Sequence, residues 1–265
     1  MLIKEVRLRL GVIGYGSMGS SFAKGLKDSA EEIIIYEINE EKRIKAMEEG
    51  FGVAKNIKFL VSGSDFILLA VKPKDAKDVL YEIKDMMDGK VLVSIVAGLN
   101  VEEIQKVVGK RKVIRTMPNI NVIVQKGTMA YVCSQEVDEE EREKFIKTFS
   151  SCGSLYQIDE ALMDSFTALV GSGPAFVFKF VSALILAGIR EGFSYELARD
   201  MVLSLLLGSC VTLKNSDKHP EDWIVRVASP AGTTIEGIKV LEERGFSGTI
   251  IECISAATKR AKKLT

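Results

Sequence analysis

The sequence is poor in the side chains that most often carry chemistry. Its 265 residues contain one histidine and four cysteines. Hydroxy-acid dehydrogenases commonly use a histidine as general acid/base on the carbonyl oxygen. Here His219 lies in the polar stretch 215–222, just before a proline, and reads as a surface residue or helix cap. Cys133, Cys152, Cys210 and Cys253 are far apart and form no C-x-x-C pair. That spacing excludes a disulfide framework and a cysteine metal site, and predicts reduced, buried thiols in a cytoplasmic protein. No His/Cys/Asp cluster has ligand spacing, so no metal is expected. Charge is balanced at 36 acidic and 36 basic residues, which favours neither nucleic acid nor an anionic membrane as partner. The apolar run 8–13 is too short for a signal peptide. The longest runs, 180–189 and 201–213, fall short of the roughly 18 apolar residues that span a bilayer and suit buried helices. There is no internal repeat.

The first half alternates short, β-branched apolar runs (9–13, 33–36, 66–71, 91–96, 113–115) with amphipathic stretches (18–29, 40–49, 73–87, 101–108). Strand then helix, repeated, predicts an α/β domain with a parallel sheet covered on both faces. A further strand is expected over 128–133 and an exposed helix over 138–147. Near residue 160 the composition changes. Segments 161–170, 174–192, 195–214, 219–227, 233–244 and 246–263 have helical periodicity, with breaks at Gly192, Gly232 and Gly245. The expected domains are 1–160 and an all-helical 161–265. Two of the helices are apolar on nearly every side, through 176–189 and 201–213. About 100 residues cannot bury such helices alone, so an obligate dimer is expected.

The string RLGVIGYGSMGSSFAKGL places Gly14, Gly16 and Gly19 in G-x-G-x-x-G, after an apolar strand and at the start of a helix. That context identifies the dinucleotide-binding turn of a Rossmann domain. Gly14 permits the tight turn, Gly16 admits the pyrophosphate to the backbone, and Gly19 lets helix and strand pack closely. The helix N-terminus then attracts the negative pyrophosphate. Glu37 stands 23 residues after Gly14, at the end of the second strand. An acid there accepts from a ribose 2′-OH and repels a 2′-phosphate, which tilts the expectation to NADH over NADPH. Lys42 and Arg43 are close enough to offset that repulsion.

Without a suitable histidine, the next candidate base is a lysine. Lys179 follows Gly173 but lacks the spacing of a catalytic lysine and reads as a side chain snorkelling on a packed helix. Reduction of a C=N bond has less need of such a group: a protonated imine is already electrophilic, and hydride addition discharges a cation. A hydroxyl that orients the nitrogen can suffice. Hydroxyls are dense at Ala228-Ser229-Pro230-Ala231-Gly232-Thr233-Thr234. There Gly232, Thr233 and Thr234 would offer helix-terminal N–H groups to a carboxylate, and Ser229 and Thr234 add side-chain donors. Ordinary helix capping accounts for the same pattern equally well.

At this point the residues match a family. VASPAGTTIEGIKVLEERGF, residues 227–246, resembles the C-terminal signature of Δ1-pyrroline-5-carboxylate reductase. GYGSMG (14–19), AVKP (70–73), SIVAG (94–98), RTMPN (115–119) and GSGPAF (171–176) match in order. The resemblance implies a Rossmann domain, a C-terminal helical dimerisation domain and assembly as dimers or rings of dimers. It also implies NAD(P)H-dependent reduction of a cyclic imine to L-proline, the last step of proline biosynthesis. Carried over residue by residue, it assigns cofactor contacts to Gly14, Tyr15, Gly16, Ser17, Met18 and Gly19. Ala70, Val71, Lys72, Pro73, Ala97 and Gly98 fall on the nicotinamide side, Asn56 on the adenosine side, and Asn119 is a further cofactor contact. Ser229 and Thr234 become the catalytic hydroxyls, with Gly232 and Thr233 holding the substrate carboxylate and Thr234 the ring nitrogen. Three departures from the family pattern stand out: Ile120-Asn121 replaces a Thr-Pro pair, Val170 a serine, and Ala231 a glycine. The first keeps open a six-membered imine as substrate. A non-catalytic, dinucleotide-binding paralogue is the alternative of a different class.

Overall fold

A computed structural model describes residues 8–263. By internal contacts the described chain divides into two compact units, Gly173–Ala257 and the remainder.

The nucleotide-binding unit begins β1 (Arg9–Ile13), α1 (Ser17–Leu26), β2 (Glu32–Tyr36), α2 (Glu40–Glu48), β3 (Gly52–Val53), α3 (Ile57–Gly63), β4 (Phe66–Leu69) and α4 (Pro73–Ile83). It continues with β5 (Val91–Ser94), α5 (Val101–Val108), β6 (Lys112–Met117), β7 (Gly127–Cys133), α6 (Glu139–Phe149), β8 (Gly153–Gln157) and α7 (Met163–Phe166). The eight strands lie in the order β3-β2-β1-β4-β5-β6-β7-β8. β4 and β5 read as unbroken apolar runs because they are buried on both faces. Alternate side chains enter two cores. Leu10, Val12, Phe66 and Leu68 meet Phe22 of α1 and Phe149 of α6. Ile13, Ile67 and Leu69 meet Leu60 of α3, Leu80 of α4 and Ile104 of α5. Each such side chain contributes about 1.5–3 kcal/mol on burial, so the sheet that carries the glycine turn is held from both sides.

The sheet is not wholly parallel as expected: β7 runs antiparallel to β6. Only a 3₁₀ turn, Ile120–Val124, lies between them, and a parallel return needs a crossover of about a dozen residues or more. β3, α3 and β8 were not anticipated. β3 has two residues, and β8 is an edge strand with little burial, so neither leaves a hydrophobic period to read.

Residues 161–172, helical by composition, pack within this first unit. They form a short helical turn, α7, then a π-helical turn, Thr167–Gly171, and Met163 packs with Met117 and Ala130. The second unit comprises α8 (Gly173–Arg190), α9 (Tyr195–Lys214), α10 (Pro220–Val227) and α11 (Thr233–Glu243), with most of α12 (Phe246–Ala261). In α8 to α12 only Pro174, Ala198 and Val202 are buried. Leu186, Leu207 and Ile251 are each more than 60% exposed in the single chain. One expectation is corrected here. The continuous helical stretch Glu160–Arg190 is, by length and composition alone, long and apolar enough to cross a membrane. Its continuity through 3₁₀, α and π turns was not visible as a single run. The thiols are also less uniform than expected: Cys152 is buried, Cys133 and Cys253 are partly so, and Cys210 is exposed. Burial pushes the Cys152 thiol up to about 12, which leaves it unreactive.

Candidate cofactor and substrate sites

The glycine turn stands where the strand order reverses, between the carboxyl ends of β1 and β4, the place where open α/β sheets bind ligands. The three glycines meet three different demands. Gly14 has φ +97° and donates its amide to the Tyr36 carbonyl at 2.8 Å. A Cβ on Gly19 would lie 2.1 Å from the Gly14 carbonyl oxygen, so that residue is set by packing. A Cβ on Gly16 would meet nothing within 4 Å. Open space at that backbone is what an approaching phosphate requires. Gly16 also caps α1 with no side-chain hydrogen bond, which leaves the first-turn amides of Ser17, Met18 and Gly19 without a side-chain acceptor and aligned with the helix dipole. These residues therefore fit a pyrophosphate.

Beside the turn lies a cleft of about 290 Å³ that takes in Gly14, Gly16, Glu37, Ala70, Val71 and Lys72. Glu37 is held at its mouth: one carboxylate oxygen accepts from the Tyr15 amide at 2.7 Å and the other from Asn39 at 2.9 Å. A preorganised acid at this place can accept from a ribose hydroxyl at little ordering cost. Sequence reasoning missed Asn39, Lys74 and Asp75 as cleft residues and took Lys42 only as a possible offset to Glu37; all four line it. Asn39 and Lys42 open α2, where Asn39 caps the Lys42 amide at 3.1 Å. Lys74 and Asp75 follow Pro73 in the first turn of α4. Their signal was position: helix starts that follow β2 and β4 must face the crevice.

The other predicted residues separate by role. Tyr15 is buried, with its hydroxyl donating to Glu49, which in turn pairs with Lys24 at 2.7 Å. Burial and the Glu49 carboxylate push the Tyr15 hydroxyl well above its ordinary value, so it stays protonated and anchors the turn from behind. Asn56 is exposed and caps α3 through the Phe59 amide at 2.8 Å. Ala97 and Gly98 follow β5 at the carboxyl edge of the sheet, with Gly98 at φ +72°. Asn119 is buried and committed to backbone partners. Asn56, Ala97, Gly98 and Asn119 do not line the cleft.

In the helical unit, α10 ends at Val227 and α11 begins at Thr233. Between them the Gly232 amide donates to the Ser229 carbonyl at 3.0 Å, closing a turn. Ala231 sits in that turn at φ +56°, a conformation that costs a side-chain-bearing residue about 1–2 kcal/mol. Gly232 caps α11 with no side-chain hydrogen bond. Among the described residues, the hydroxyls of Ser229, Thr233 and Thr234 have no intramolecular partner. Capping, the competing explanation for this loop, therefore does not use them. The loop keeps free amides at a helix N-terminus beside three free hydroxyls, which suits a carboxylate next to a polar heteroatom. His219 does what a cap does: its Nδ1 accepts from the Glu221 amide at 3.3 Å at the head of α10. Among the described residues, no three His, Cys, Asp or Glu side chains are grouped to hold a metal ion.

Comparison with known proteins adds sequence and structural likeness along the whole chain. Residues 160–264 match the family model described as pyrroline-5-carboxylate reductase dimerisation. Residues 9–98 match the one described as NADP oxidoreductase, coenzyme F420-dependent. A pyrroline-5-carboxylate reductase of Aquifex aeolicus is 48% identical over 260 residues, covering 97% of each chain. The crystal structure of a Plasmodium falciparum pyrroline carboxylate reductase with NADP bound superposes with a TM-score of 0.88 at 31% identity, over 97% of this chain and 98% of that one. The Coxiella burnetii pyrroline-5-carboxylate reductase gives a TM-score of 0.90 at 26% identity, with the same coverage.

Proposed function

This chain belongs to the pyrroline-5-carboxylate reductase family, and from that premise we propose that it reduces the C=N bond of 1-pyrroline-5-carboxylate to give L-proline, with NAD(P)H as donor. The observation that carries this reading is the 229–234 loop, with its free helix-terminal amides and unengaged hydroxyls, in a chain whose one histidine is a helix cap. When bound, the reduced nicotinamide supplies a hydride. Residues 14–19 would hold its pyrophosphate, with Ala70–Pro73 and Ala97–Gly98 on the nicotinamide side. The amides of Thr233 and Thr234 take the substrate carboxylate, with Ser229 donating beside them; the Gly232 amide, expected to share in this, is spent on the Ser229 carbonyl. Thr234 orients the ring nitrogen. The electron pair delivered to the imine carbon displaces the C=N π pair onto that nitrogen, so a protonated imine becomes a neutral amine and no alkoxide has to be protonated. The rate then rests mostly on holding donor and acceptor carbons in near-attack geometry.

The deciding experiment is a steady-state assay of the five-membered imine with NADH and NADPH, with the six-membered ring as a comparison. Turnover of the five-membered ring supports the reading. Tight NADH binding without turnover of either ring would replace it with a non-catalytic role. Glu37 makes NADH the expected better donor, although Lys42 and Lys74 share the cleft. Replacing Glu37 with alanine is expected to shift the NADPH/NADH ratio of kcat/KM upward by about tenfold or more, the loss of one charge repulsion and one charged hydrogen bond. An unchanged ratio would remove Glu37 from cofactor selection.

The same reading makes the protein a cytoplasmic homo-oligomer built from dimers, with no membrane or nucleic-acid partner. The exposed apolar faces of α8, α9 and α12 are then covered by a second copy. Sedimentation in detergent-free buffer at micromolar concentration should give dimers or larger. Monomer alone, or a need for detergent, would overturn this.

A further inference from the structure

β6 and the residues after it grip the chain just before it enters the helical unit. Positions 115, 117 and 119 alternate and so share one face. Arg115, 3% exposed, pairs through Nη1 with Glu160. Met117 packs with Met163, beside Ile158 and Phe166. Asn119 donates from Nδ2 to the Val170 carbonyl at 3.3 Å, while its Oδ1 accepts from the Thr128 amide at 3.2 Å and the Asn121 amide at 3.3 Å. Three alternate side chains thus hold one connector, 158–170, along its length. Val170 lies in the π-helical turn Thr167–Gly171, and such turns are frequent at functional places in helices. α8 begins at Gly173.

Stability alone is a weak account of this arrangement. Neither Arg115 Nε nor Glu160 Oε2 has a protein partner although both atoms are buried. An ion pair so incompletely satisfied gains little over apolar side chains of similar volume, because desolvation offsets the Coulomb attraction. What the pair and the Asn119 amide supply that apolar packing does not is direction: each fixes one atom of the connector against β6. The carboxyl end of β6 adjoins that of β5, and Ala97–Gly98 follow there, on the proposed nicotinamide side.

We propose that Arg115 and Asn119 are positioning residues for hydride transfer: they fix the connector 158–172 against the carboxyl end of β6, and so the strand end that adjoins the proposed nicotinamide side, without touching cofactor or substrate. This rests on the reductase reading above. The test uses the full-length protein and three variants: Arg115→Met, the double variant Arg115→Met/Glu160→Leu, and Asn119→Ala. Measured for each are NADH Kd, melting temperature, kcat, KM and the primary deuterium isotope effect with C4-deuterated NADH. The double variant is expected to keep wild-type melting and NADH Kd, yet lose about 10- to 100-fold in kcat, the scale of a small misplacement of reacting groups. Its isotope effect should rise as hydride transfer becomes rate-limiting. Asn119→Ala should lose kcat in the same way with NADH Kd kept, but with a lower melting temperature, because its three hydrogen bonds to backbone groups are lost. A double variant with wild-type kcat overturns the proposal and leaves the pair as packing. NADH Kd weakened about tenfold with kcat retained also overturns it, because the residues then serve the cofactor site. Failure of the underlying reading is distinguishable, since wild-type protein would then turn over neither ring.

Discussion

Thr234→Ala is expected to lower kcat/KM by about 100-fold or more, the scale seen when one preorganised donor at a reacting atom is removed, while NADH binding stays unchanged. The asymmetry follows from the assignment of the two functions to different segments. The glycine turn and its cleft lie in the nucleotide-binding unit, whereas Thr234 opens α11 in the helical unit. Its hydroxyl has no partner within the described chain, so its loss deprives the fold of no hydrogen bond. Thr234 is only partly buried, and its methyl fills no core. The melting temperature should therefore move little. Thr234→Ser, which keeps the hydroxyl, should retain most of the rate. Steady-state kinetics with NADH titration by fluorescence would check all three statements, and a near-wild-type rate for the alanine variant would take Thr234 out of the mechanism.

The second large effect is a contrast between two glycines of one turn. Gly16→Ala places its methyl in open space at φ −74°, an ordinary value for any residue. The protein should fold with wild-type stability and lose NADH affinity by about 100-fold or more, because the methyl stands where phosphate must approach the amides. Gly19→Ala drives its methyl to 2.1 Å from the Gly14 carbonyl oxygen and 3.2 Å from the Ala70 Cβ. Backbone on one side and a packed residue on the other leave no easy relief. It should cost about 1–3 kcal/mol of stability, the range for overpacking, and lose the cofactor as well. Thermal melts with and without NADH separate the two. Ligand should stabilise wild type, and stabilise neither variant appreciably. Equal melting temperatures for the two apo variants would show that Gly19 is not held by packing.

The sequence by itself determined the features that depend on neighbours in the chain. The β1–turn–α1 unit was legible because its glycines, apolar strand and helix start fall within twenty-odd residues of one another. Val101–Val108 and Tyr195–Lys214 begin and end as their patterns predict; Asn100 and Glu103 form a reciprocal cap at the first, and Ser194 caps the second. His219 was readable as a cap for the same reason. The 229–234 loop was legible as hydroxyls at a helix start, but whether those hydroxyls were free or spent on capping was not.

Tertiary structure decided what rests on residues distant in sequence. The antiparallel β7 follows from how little chain separates it from β6, and β8 is a strand only because β7 lies beside it. Glu37 was read as an acid at the right distance from Gly14. That both its oxygens are fixed by the amides of Tyr15 and Asn39 emerges only when two strand ends meet at the switch point. Asn119 was read as facing the cofactor. The folded chain binds its side chain to Val170, Thr128 and Asn121, since a buried amide must find partners wherever the fold supplies them. Local pattern specified which segments form helices, strands and turns. Which polar atoms remain free to act was settled by long-range packing, because a donor or acceptor is consumed by whatever the fold places beside it.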